Sequence, residues 1–231
     1  REPRCGRPPV QSAMVRIKIC CISSVDEARL AVEAGAAALG LVGAMPSGPG
    51  VIADSLIAEI AASVPPPVAT FLLTSETDPE AIVDHVARCR TNTVQLVDEV
   101  APAAYARIRR ALPALRIVQV IHVDGPETVE AARAVAPRID AILLDSGRPK
   151  AALRELGGTG RVHDWKVSRA VVEAVARPVF LAGGLTPDNV AEAWRRVRPF
   201  GLDLCSGVRT DGRLDPAKLA AFFIAARTAS A

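Results

Sequence analysis

Eight short apolar runs, each followed by a longer stretch of helical periodicity, constrain this chain more than any other feature of its sequence. The runs are "RIKICCI" (16–22), "ALGLVG" (38–43), "PVATFLL" (67–73), "TVQLV" (93–97), "IVQVIHV" (117–123), "AILLD" (141–145), "PVFLAG" (178–183) and "GLDLCS" (201–206). They are apolar almost without interruption, which marks strands covered on both faces, as in a parallel sheet. The stretches between them carry helix signals. In "SVDEARLAVEAG" (24–35), Ser24 caps, Glu27 stands three residues on as in a capping box, and Gly35 terminates. Asp78-Pro79 and Thr186-Pro187 each pair a capping residue with a proline suited to a first helical position.

Strand and helix alternating eight times in 231 residues predict an α/β fold, a (β/α)8 TIM barrel, at the short end of its usual length. With 50% hydrophobic residues but only 3% aromatics, its core must be filled by Ala, Val, Leu and Ile. An open doubly wound sheet is the alternative. Its dinucleotide-binding form needs glycines after the first strand, and the turn here, "CCISSVDEA", has none. Residues 14–231 are read as one barrel domain. Residues 1–13 are read as a disordered leader, native or left by cloning.

Charge and cysteine content exclude several functions. The formal net charge of +3 is small, and the basic residues are scattered through helices, which argues against a nucleic-acid surface. No apolar run approaches the roughly 18–20 residues of a membrane span, and the first residues lack the apolar middle of a signal peptide. The five cysteines, at 5, 20, 21, 89 and 205, are odd in number and lack metal-ligand spacing, so free thiols in a cytoplasmic protein and no metal are expected. Cys20 and Cys21, adjacent on one strand, are expected to face opposite ways.

In a barrel of this kind the active site uses the C-terminal ends of the strands. That rule selects Cys20 or Cys21, Ser47, Asp98, His122 or Asp124, Asp145, and the glycine turns after the last two strands. "LAGGL" (181–185) and "CSGV" (205–208) lie where phosphate is usually held, and Gly183, Gly184, Ser206 and Gly207 would let backbone N–H groups approach an anion. The loop "GGTGRVHDW" (157–165), with Gly158 and Gly160, reads either as a surface loop or as a rim closing over the phosphate. Asp145 leaves an apolar strand at the barrel mouth, where partial burial would suit a general acid, although a loop cap explains it equally well. Cys20 would be an inert core thiol but for Lys18 two residues earlier, whose ammonium favours thiolate. His122 and His163 lack metal-like neighbours and read as structural.

Together, "VRIKICCI", "AILLDS", "GGTG", "DW", "LAGGLTPDNV" and "LDLCSGV" resemble the phosphoribosylanthranilate isomerase family from about Met14 to Phe223. The resemblance implies a (β/α)8 barrel that needs neither metal nor cofactor, acts on a small phosphorylated sugar in tryptophan biosynthesis, and exists as a monomer or homodimer. It implies an Amadori rearrangement with Cys20 as general base, Asp145 as general acid, and phosphate held by Gly183, Gly184, Ser206 and Gly207. Lys18, Gly158 and Gly160 join the implied binding residues.

The chain departs from that family at identifiable positions. Gly50 stands where the family has an arginine for the anthranilate carboxylate, and "QLVDE" (95–99) shortens a longer motif. Cys21 replaces a glycine, Arg209 a glutamate, and Leu214 a lysine. Arg148, Lys150 and Arg209 are candidate replacement cations. The alternatives are a diverged paralogue acting on another phosphoribosylated amine and a non-catalytic sugar-phosphate-binding barrel.

Overall fold

The computed structural model describes residues 15–46, 48–146 and 163–230. Its barrel strands are β1 (Arg16–Ile19), β2 (Ala38–Val42), β3 (Ala69–Thr74), β4 (Thr93–Leu96), β5 (Arg116–His122), β6 (Ala141–Asp145), β7 (Val179–Leu181) and β8 (Gly201–Leu204), with a small antiparallel pair, Arg209–Thr210 and Arg213–Leu214, after the last. The barrel strands are all parallel, and β8 returns to pair with β1, closing the barrel. The helices are α1 (Val25–Ala34), α2 (Asp54–Ser63), α3 (Pro79–Cys89), α4 (Pro102–Ala111), α5 (Thr128–Val135), α6 (Trp165–Ala174), α7 (Val190–Val197) and α8 (Pro216–Ser230). No helix among the described residues is long and apolar enough to cross a membrane.

Each strand divides its residues between two cores. Ile17 and Ile19 of β1, Leu39 and Leu41 of β2 and Ile142 and Leu144 of β6 face the helices. Ala38, Phe71, Val118, Val120, Ala141, Leu143 and Phe180 fill the barrel itself. Both sets being apolar, the strands read as unbroken hydrophobic runs. The inner set changes character along the barrel, and near the C-terminal ends it includes Lys18, Asp145 and Asp203, all buried.

Local signals set several element ends. The Ser24 side chain accepts from Glu27 N–H at 3.1 Å, and Gly35 closes α1 with φ 103°. Asp78 accepts from Ala81 N–H at 2.9 Å with Pro79 in the first turn of α3. Thr186-Pro187 does not begin α7, which starts at Val190. Asn189 is the reason: its Oδ1 accepts from Thr186 N–H at 2.9 Å and its Nδ2 donates to Gly184 O at 2.8 Å, tying residues 184–189 into a turn.

The expectation that Cys20 and Cys21 face opposite ways is also corrected. Strand β1 ends at Ile19, and Cys21 adopts φ 61°, a left-handed conformation that breaks strand alternation. Both thiols line the barrel mouth.

Candidate active site

Strand register sets the floor of the site. Lys18 and Asp203 are direct partners across the β1–β8 closure, and Lys18 Nζ donates to Asp203 Oδ1 at 2.8 Å with the lysine fully buried. The ammonium also sits 5.3 Å from the Phe71 ring centroid. Burial pulls the Lys18 pKa down, but Asp203 and the nearby thiols more than offset it, so the ammonium stays charged. A Cβ on Gly40 would lie 2.8 Å from Cys20 Sγ and 3.0 Å from Lys18 Nζ. The lysine and thiol therefore converge on one glycine inside the barrel, on the same side as the sequence requires. Lys18 lies below the lining of the pocket, which Asp203 and Cys20 reach.

Asp145 ends β6 beside that floor. Burial raises its pKa, opposed by Ser146 N–H, which donates to Oδ1 at 2.7 Å, and by the neighbouring charge positions of His122 and Lys18, while Asp203 adds to the rise. The net direction is upward, which favours a carboxylic acid able to donate a proton. His122 stands in register with Asp145, and its two buried ring nitrogens have no hydrogen-bond partner among the described residues.

The two glycine turns meet on one side of the same pocket, which Cys20, Asp145, Gly183, Gly184 and Ser206 all line. Gly183 and Gly184 have φ 83° and 64°, turning backbone toward the cavity in a conformation that disfavours other residues. Gly207 is required by space: a Cβ there would fall 2.0 Å from Leu185 O. This contact locks the β8 turn against the β7 turn. His163 and Ser146 also reach this side, 3.1 Å and 2.9 Å from where a Gly183 Cβ would stand. His163 Nε2 is paired with Ser168 Oγ at 2.8 Å, and burial lowers its pKa to about 4, leaving a neutral ring near neutral pH. Sequence reading missed Asn189, Ser146 and Asp203; "LTPDN", "LLDS" and "LDL" contained them without a local signal for their partners.

Arg209 is not available as a replacement cation. Its guanidinium donates to both Glu27 carboxylate oxygens, to Gly212 O, to Cys20 O at 3.2 Å and to Cys21 O at 2.6 Å. The side chains of Arg209 and Glu27 are only 9% and 12% exposed. Glu27 additionally accepts from Ser23 N–H and Leu214 N–H. Burial favours a protonated Glu27, but these donors prevail and lower its pKa. What began as a capping residue is thus the hub that joins α1, the Cys20-Cys21 backbone and the turn after β8.

The far end of the pocket is walled by Val42, Leu73, Val97, Val120 and Leu143. Gly50, where the family arginine would stand, has φ 80°, and a Cβ there would lie 2.6 Å from Cys21 Cβ, so no larger residue fits this backbone. Ser47, Arg148, Lys150, Gly158 and Gly160 lie outside the described residues, as do residues 1–13. Outside the barrel, Asp54, His85 and Cys89 bring ligand-type atoms within 4.8 Å of one another. Both nitrogens of His85 are engaged, by Thr74 Oγ1 at 3.0 Å and Asp54 at 3.1 Å, and Asp54 also accepts from Arg88 at 2.8 Å. That cluster braces α2 against α3.

Comparison with known proteins places this geometry in context. A family model described as N-(5'phosphoribosyl)anthranilate (PRA) isomerase matches residues 17–225. The chain is 37% identical over 210 residues to N-(5'-phosphoribosyl)anthranilate isomerase 2 of Methanosarcina mazei, covering 90% of this chain and 92% of that one. A phosphoribosyl anthranilate isomerase solved with reduced 1-(o-carboxyphenylamino)-1-deoxyribulose 5-phosphate superposes with TM-score 0.78 at 28% identity, covering 93% of this chain and 100% of that one. Monomers generated from a dimeric Thermotoga maritima phosphoribosylanthranilate isomerase give TM-score 0.76 at 27% identity, with 93% and 100% covered.

Proposed function

The chain belongs to the N-(5'-phosphoribosyl)anthranilate isomerase family, and from that premise we propose how its residues carry the reaction. The enzyme converts N-(5'-phosphoribosyl)anthranilate to 1-(2-carboxyphenylamino)-1-deoxyribulose 5-phosphate, a step of tryptophan biosynthesis. Substrate and product are isomers, so protons and electron pairs move within one molecule. Asp145 protonates the ring oxygen, and the ring opens to an iminium. Cys20, as thiolate, removes the C2′ proton, giving an enolamine that tautomerises to the ketone.

The observation that carries this reading is that Cys20, Asp145, Gly183, Gly184 and Ser206 line one pocket. Phosphate held at the β7–β8 side fixes the sugar between a base on β1 and an acid on β6, which supplies much of the rate by orientation. Buried Lys18 keeps a positive charge beneath the Cys20 sulfur. Beyond the sugar, the apolar wall from β2 to β6 faces the aromatic ring. His122 at the end of β5, its ring nitrogens without a hydrogen-bond partner among the described residues, lines an adjoining cavity that shares Val97 and Val120 with this pocket, and is our candidate for the anthranilate carboxylate in place of the arginine absent at Gly50. We take the enzyme to be cytoplasmic and a monomer or homodimer.

The test is turnover of phosphoribosylanthranilate, followed by loss of its fluorescence. Wild type turns over, while Cys20→Ala and Asp145→Asn each fall by about 10²–10⁴-fold, the usual worth of a general acid or base. Binding of a phosphate ester without turnover would instead identify a sugar-phosphate-binding barrel. A raised KM with little change in kcat for His122→Ala supports the carboxylate assignment; an unchanged KM overturns it.

A further inference from the structure

Three thiols meet at the barrel mouth, and the reaction uses one of them. Cys21 and Cys205 face each other across the β1–β8 closure with their sulfurs 2.7 Å apart. Cys21 is held in a left-handed conformation at φ 61°, which turns its side chain out of the strand pattern and toward Cys205. Both line the open pocket beside Cys20 and Ser206. Cys205 is half-buried, so small molecules reach it through the mouth.

The surroundings of the two sulfurs are unequal. Arg209 is buried next to them, and its Nε–H has no hydrogen-bond partner among the described residues. The hydrogen bond shared with Cys21 and the charge of Arg209 overcome burial and lower the Cys205 pKa, whereas the hydrogen bonds from Cys20 and Cys205 together with burial raise that of Cys21. A thiolate paired with a neighbouring thiol is the arrangement of an attacking and a resolving cysteine.

We propose that Cys21 and Cys205 form a thiol-modification site at the mouth of the active site, converted by hydroperoxides to a reversible disulfide. The Cys205 thiolate, its proton given up to solvent, attacks the peroxide O–O bond, forming a sulfenic acid and releasing the other oxygen as alkoxide or hydroxide, which takes a proton back from solvent to give an alcohol or water. The Cys21 sulfur then attacks the sulfenic sulfur, hydroxide leaves and takes the Cys21 proton, and water is formed. Two electrons pass from the thiols to the peroxide. The sulfurs need only close to about 2.05 Å. Cys21 follows the base Cys20 and Cys205 precedes the phosphate-side Ser206, so the bond shifts both by a fraction of an ångström. Misplacement on that scale lowers turnover by about tenfold.

The test treats the full chain with hydrogen peroxide and reads intact mass and cross-linked peptides, measurements independent of whether the chain turns over phosphoribosylanthranilate. The expected result is loss of two hydrogen atoms and a peptide joining Cys21 to Cys205, formed before Cys89 reacts and reversed by dithiothreitol. Cys21→Ser leaves a sulfenic acid at Cys205 that a dimedone probe captures; Cys205→Ser, the second variant, forms no cross-link. Turnover of the oxidised wild type falls about tenfold and returns on reduction. A link from Cys205 to any other cysteine, or irreversible oxidation of Cys20 with Cys21 and Cys205 still reduced, overturns the proposal.

Discussion

Lys18 Nζ lies 2.8 Å from Asp203 Oδ1 at the floor of the barrel, and this pair supplies the charge environment of both Cys20 and Asp145. Removing one member leaves the other buried and unpaired. Lys18→Met is therefore expected to lose about 3–5 kcal/mol of stability in urea unfolding. The double variant Lys18→Met/Asp203→Leu recovers most of that loss, because two buried charges disappear together. Turnover does not recover, since the thiol has lost its cation.

Arg209 holds the Cys20-Cys21 backbone through its contacts to both carbonyls. Arg209→Lys keeps a charge but cannot reach Glu27 and both carbonyls from one ammonium. We expect kcat to fall about tenfold with KM little changed, and Arg209→Gln to fall further. Steady-state kinetics with substrate in excess separate this from an effect on binding.

Asp145 has a raised pKa, chiefly through burial. In its proposed role as general acid it acts protonated, so turnover is expected to decline as pH rises through that pKa, later than an ordinary carboxyl would require. The same group contributes stability that is present at low pH and lost as pH rises, because its folded pKa exceeds its unfolded one. The rate–pH profile of Asp145→Asn lacks this alkaline limb over whatever activity remains.

His163 behaves in the opposite sense. Its pKa falls from an ordinary 6.5 to about 4 on folding, so between those values the unfolded chain binds more protons than the folded one. Stability therefore decreases as pH drops from about 6.5 to about 4. Thermal unfolding followed across that window is expected to show a shallower slope in His163→Gln.

Gly207 packs so closely on Leu185 O that any side chain displaces one turn from the other. Gly207→Ala is expected to raise KM at least tenfold, with a smaller change in kcat. Inorganic phosphate, assayed as a competitive inhibitor, should weaken in parallel.

Much of this molecule was legible without coordinates. The eight apolar runs correspond one to one with β1–β8, and Ser24, Gly35 and Asp78-Pro79 bound their helices as local rules require. Thr186-Pro187 misled because Asn189 competes for the same backbone. The order of strands was enough to direct attention to Cys20, Asp145 and the two glycine turns, since a closed parallel barrel brings successive strand ends to one rim.

What local pattern could not express were the pairings made where the barrel closes. Lys18 meets Asp203, Glu27 meets Arg209, and Cys21 meets Cys205, each across more than 180 residues of chain. Propensity and periodicity act over one or two helical turns or a few strand residues, so the amino-acid order by itself determined the elements and their succession. Which side chains face one another depends on the register with which β8 returns to β1. That was decided only by tertiary packing of the whole barrel, where burial makes an unpaired charge costly and therefore selects its partner.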